Sequence, residues 1–103
     1  MKLPKGFTIH GKYMKIINED LIEEGSKYGY YNDGLEEIHI ANYIIINDEK
    51  IKLSDSQILD TLFHELIHCF QFHFKGNSDE QEACCYAGGL CEFFKSSNIK
   101  INI

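Results

Sequence analysis

The chain has 103 residues, enough for one compact domain and too few for two. Its 44% hydrophobic and 25% charged residues place it in the globular range and set disorder aside. Sixteen acids face ten bases, all of them lysine, for a net charge of -6; with no arginine forks and a repelling field, nucleic acid is not an expected partner.

At the N-terminus, Met1-Lys2-Leu3-Pro4-Lys5 has no apolar stretch behind it and reads as no secretory signal. Phe7 to His10, a turn at Gly11-Lys12, and Tyr13 to Ile17 predict two short strands. Asn18 then reads as the cap of a short helix through Ile22, closed by Gly25. Tyr28 to Asn32, the turn pair Asp33-Gly34, and Leu35 to Ala41 predict a hairpin, with Ile38 and Ile40 on one face and Glu37 and His39 on the other. Tyr43 to Ile46 extends the sheet or leads to a turn at Asn47-Asp48. Its apolar run is far short of the ~18 residues of a membrane span, so no membrane partner is expected.

Ser54 with Gln57 forms a capping-box pattern that opens the longest helical stretch, Asp55 to Phe74, broken at Gly76-Asn77. Ser78 with Gln81 repeats the pattern and opens a second helix to Lys95. The tail alternates Ile99, Ile101 and Ile103 with polar residues, as a last strand would. The expected class is α+β: a small, antiparallel-rich sheet packed on two helices.

His64-Glu65-Leu66-Ile67-His68 is an HExxH motif on the first helix. At about 100° per residue, His68 lies about 40° round and one turn along from His64, so both imidazoles can reach one metal. Glu65 lies about 100° round, suited to take a proton from water rather than to ligate. Gln57, Asp60, Thr61 and Gln71 share the histidine side, while Leu59, Leu62, Leu66, Cys69 and Phe70 form an apolar back. A catalytic zinc needs a third protein ligand and an open position. His73, nine residues beyond His64, lies about 180° round the same helix and can join only if that helix ends early, and His10 and His39 belong to the sheet region. Glu80 and Glu82, two apart on the second helix, point about 200° apart, so at most one can face the metal. Glu80 shares a stripe with Ala83, Cys84, Ala87, Leu90, Cys91 and Phe94, whose small residues permit close approach to another helix, and so Glu80 is the expected third ligand.

HExxH followed by Glu80-Gln81-Glu82-Ala83-Cys84-Cys85-Tyr86-Ala87, with Leu90 beyond, resembles the ImmA/IrrE-type peptidases, small gluzincins often encoded by mobile elements. The resemblance covers about residues 28–91. It implies one zinc metallopeptidase-like domain over residues 1–103, with His64, His68 and Glu80 as zinc ligands and Glu65 as catalytic base. The implied activity is a zinc-dependent endopeptidase acting on a protein substrate, with a regulatory role on a mobile element. Two departures stand out: Cys84 occupies the place where that family has Asn or Asp, and the interval from His68 to Glu80 is short. The cysteines, Cys69, Cys84, Cys85 and Cys91, contain no CxxC pair and read as reduced thiols of a cytoplasmic protein, with Cys69, Cys84 and Cys91 as core packing. A thiolate from Cys84 on the metal would instead close the site. Substrate is expected to bind extended along a sheet edge near Ile38 to Ala41. The alternative function is a zinc-stabilised interaction module with little or no hydrolysis.

Overall fold

The computed structural model describes residues 2–25 and 27–97. The order is β1 (Gly6–Ile9), β2 (Lys12–Glu19), a 3-10 turn (Glu23–Gly25), β3 (Gly29–Asn32), β4 (Glu37–Ala41), β5 (Tyr43–Ile46), β6 (Glu49–Lys52), α1 (Asp55–Phe70), a π-helical turn (Gln71–Lys75) and α2 (Glu80–Ser96). This is an α+β fold, as the pattern predicts. The expected tail strand lies outside the described residues.

Four strands form one sheet in the order β1-β2-β4-β3, and β5 and β6 form a separate hairpin. The β1–β2 turn falls at His10-Gly11, one residue earlier than expected, with both residues at positive φ. β3 and β4 pair antiparallel as predicted, but β2 and β4 pair in parallel, Ile16 beside Ile38. That pairing corrects the reading of Asn18. Instead of capping a helix, Asn18 continues β2, and its amide donates to the Ile40 carbonyl and to Asn42 Oδ1. A side chain able to cap a helix can equally bridge a strand to a loop, and here the long-range partners win. The topology also corrects the substrate edge. β4 is interior, so Ile38 to Ala41 is no edge; among the described residues, the edge near the helices belongs to β3.

Register puts Gly29, Tyr31, Ile38, Ile40 and Ile16 on one face of the sheet, and that face meets α1. Gly29 is required there. A Cβ on it would lie 2.6 Å from the His39 carbonyl and 2.7 Å from Thr61 Cγ2, so only glycine lets β3 press against α1. Met14, Ile38 and Ile40 are fully buried beneath the helix, joined by Ile58, Leu62 and Ile67. Ser54 caps α1 with both reciprocal capping-box bonds. α2 is capped one residue later than expected, by Asp79, whose carboxylate accepts from the Glu82 backbone N–H. Ala83 and Ala87, both buried, bring α2 close to α1, and Phe63 stacks on Phe94 at 5.3 Å. With β3 on one side of α1 and α2 on another, Thr61 and Gln71 of the polar side are buried, while Phe70 of the predicted apolar back is exposed. Among the described residues, no helix is long and apolar enough to cross a membrane.

Candidate metal centre

His64 and His68 project from α1 into a cleft of about 990 Å³, walled by β3 on one side and by the Gly76–Ser78 loop and Glu80 on the other. Their Nε2 atoms lie 3.1 Å apart. Glu80, the first residue of α2, sets Oε1 2.7 Å from His64 Nε2 and Oε2 2.9 Å from His68 Nε2. Ligands bound at ~2.0–2.2 Å around a tetrahedral zinc lie roughly 3.3–3.6 Å apart, so the three pairs, at 2.7, 2.9 and 3.1 Å, need open by less than about 1 Å each to admit the ion. Two imidazoles and a carboxylate are also a donor set used for catalytic zinc. The residues present therefore fit the metal.

The orientation of His68 has an identifiable cause. Gln71, only 2% exposed, sits one turn further on. Its Nε2 donates to the Asp79 carbonyl and to Glu82 Oε1, and its Oε1 accepts from the Asp79 N–H, so the amide has one way round. Oε1 then faces His68 Nδ1 at 2.9 Å and can only accept from it. His68 thus donates from Nδ1 to Gln71, which leaves Nε2, turned towards His64 and Glu80, as the nitrogen free to hold an ion, the arrangement that orients a ligating imidazole. Gln71 opens the π-helical turn, its carbonyl accepting from the Gly76 N–H, and Gly76 closes that turn at φ 74. The wider turn delivers Asp79 and Glu80 back towards α1 within a short loop. Sequence periodicity placed Gln71 on the histidine side, but only the tertiary contacts show that it holds His68.

Glu82 points elsewhere, accepting from Gln71 Nε2 and pairing with Lys75, and these contacts hold its carboxyl below the usual range, the Gln71 bond most of all. The remaining histidines stay out of the cleft centre. His73 faces Glu36 at 3.3 Å, with His10 edge-on to it, and His39 lies between Glu19 and Glu37 while stacking on Tyr30. Glu65 is buried at the cleft wall; burial pushes its carboxyl up, against the opposing pull of His64 and His68. Such a carboxylate holds a proton more readily than one in water, which suits a proton shuttle.

All four cysteines are free. Cys69 and Cys91 are buried as expected, but Cys84 is not core packing: it is exposed, with Sγ 3.8 Å from Glu80 Oε1 and 3.8 Å from His64 Nδ1. The short side of α2 that meets α1 is filled by Ala83 and Ala87, which leaves Cys84 at the rim beside the histidines. Partial desolvation by its neighbours, and then Glu80, push its thiol up. Single donor atoms of His64, Glu80 and Cys84 all lie within 4.8 Å of one another. No known family, no curated protein and no solved structure matches this chain, so its chemistry rests on the arrangement of these residues.

Proposed function

We propose that the chain is a zinc-dependent endopeptidase, with His64, His68 and Glu80 holding the ion and Glu65 as the base. The observation that carries this reading is the convergence of two Nε2 atoms and one carboxylate within 3.1 Å of each other in an open cleft, with a buried Glu65 on its wall. The HExxH motif and the resemblance to ImmA/IrrE-type peptidases support it. Zinc bound there would act as a Lewis acid on a carbonyl and lower the pKa of water. Glu65 takes the proton of the attacking water and passes it to the leaving amine. Gln71 holds the His68 ring so that its Nε2 would face the ion. Among the described residues, β3 pairs only with β4, so its outer edge is open to a protein or peptide substrate lying extended beside the cleft. The free thiols suit a reducing, cytoplasmic setting.

The test is digestion of a denatured-protein or peptide mixture by zinc-loaded chain, with products read by mass spectrometry. The parent should generate new termini, and Glu65→Gln should retain zinc and fold but produce none. Cleavage by Glu65→Gln at the parental rate would exclude Glu65 as base. The second reading, a zinc-stabilised interaction module, is favoured by one observation: Cys84 stands beside the donors, where a fourth protein ligand would shut out water.

A further inference from the structure

We infer that His73, Glu36 and His10 form a second cation site, which takes a divalent transition ion such as zinc and ties three turns of the chain together. It shares no residue with the cleft centre and does not depend on it. Among the described residues, three buried side-chain atoms lack a hydrogen-bond partner: Tyr31 Oη, Glu36 Oε2 and His73 Nε2. The last two face each other at 3.3 Å, with the His73 side chain only 7% exposed. A protonated imidazole donating directly to a carboxylate closes to ~2.7–2.9 Å along a straight N–H. This pair is longer and lacks that alignment. Its separation is that of two donors bound at ~2.0–2.2 Å around a tetrahedral ion, roughly 3.3–3.6 Å. Buried polar atoms left unsatisfied are costly, and a shared cation satisfies both at once.

Three connections deliver the donors. Glu36 stands just before β4, its carbonyl accepting from the Lys15 N–H of β2 at 3.1 Å. His73 is the middle residue of the π-helical turn, and His10 lies in the β1–β2 turn. The His10 ring stands nearly perpendicular to that of His73, with centroids 5.9 Å apart. Two imidazoles on one tetrahedral ion have centroids roughly 5 Å apart, so an approach of about 1 Å brings His10 in as the third donor. Its exposure allows the ring that movement. The other carboxylate oxygen, Glu36 Oε1, has Lys12 Nζ at 4.0 Å, and that exposed side chain can swing aside. His39 offers no such site, because Glu19 and Glu37 already take up both its ring nitrogens, at 3.2 and 2.9 Å. Two imidazoles and a carboxylate suit zinc among the transition ions, with the fourth position left to water. An ion there pins the π-helical turn against the sheet, the same turn from which Gln71 orients His68.

The experiment dialyses the full, reduced chain to equilibrium against zinc and counts bound metal per chain by elemental mass spectrometry. The parent should hold two ions. His73→Gln, Glu36→Gln and His10→Ala should each hold one, with the fold checked by circular dichroism. Glu36, the more exposed partner of the pair, decides the matter if His73→Gln does not fold. The double variant His64→Ala with His68→Ala should keep one ion, and adding Glu36→Gln to it should leave none. A double variant that binds no zinc, or Glu36→Gln that still holds both ions, would overturn this site while leaving the cleft centre standing. Two ions retained by His10→Ala would overturn its part as third donor. A single ion in the parent, kept by the double variant and lost in Glu36→Gln, would support this site and overturn the cleft centre instead.

Discussion

Gln71→Ala is the substitution whose effect the geometry defines most closely. The side chain is 2% exposed and makes four hydrogen bonds, to His68 Nδ1, the Asp79 N–H, the Asp79 carbonyl and Glu82. A net ~0.5–1.5 kcal/mol for each, reduced because the Asp79 and Glu82 groups can regain water, gives an expected loss of about 3 kcal/mol. Urea unfolding of metal-free protein measures it. Loss of the Gln71 acceptor also frees His68 to rotate and change tautomer, so zinc affinity should fall by ~10–100-fold in a chelator competition. Gln71→Glu separates the two effects. It retains an acceptor for His68 Nδ1 but places a carboxylate against Glu82 and the Asp79 carbonyl, so stability should fall while zinc affinity is largely kept. A loss below ~1 kcal/mol in Gln71→Ala, with zinc affinity unchanged, would refute the role assigned to this amide.

Glu80→Ala should weaken zinc binding sharply, by chelator competition, whereas Glu82→Ala, which removes only contacts to Gln71 and Lys75, should weaken it a few-fold. Iodoacetamide at neutral pH should label Cys84 and Cys85 in the folded, metal-free chain, whereas Cys91, and Cys69 with its thiol pushed by burial up to about 11, should react only in denaturant. Peptide mapping reads this directly. Gly29→Val should lower thermal stability by ~1–3 kcal/mol, because its Cβ meets the His39 carbonyl and Thr61; an unchanged Tm would mean that β3 does not press on α1.

The local signals were those the sequence could carry. Ser54 and Gln57 are three residues apart and need no other part of the chain to form a capping box. The facing of His64, His68 and Glu80 follows from helical phase and from the alanines that let α2 approach. What local pattern does not hold is the long-range pairing. Asn18 has the chemistry of a cap, but parallel pairing with β4 takes it into a strand, and the same pairing turns Ile38 to Ala41 from an edge into an interior strand. Asp79 takes the cap expected of Ser78 because its N–H and carbonyl are held by Gln71, eight residues back across the π-helical turn. Cys84 shows a similar limit. Its stripe on α2 is apolar by composition, but the narrow contact with α1 is completed by Ala83, Ala87 and Cys91, which leaves the thiol at the rim.

The central claim, that three side chains from two helices form a zinc centre, is tested most directly by anomalous diffraction at the zinc edge from crystals of the zinc-loaded chain. The account predicts one strong peak at ~2.0–2.2 Å from His64 Nε2, His68 Nε2 and a Glu80 oxygen, with Glu65 beyond bonding distance. An ion held by Glu82 without the two HExxH histidines, or no peak in the cleft at all, would contradict it.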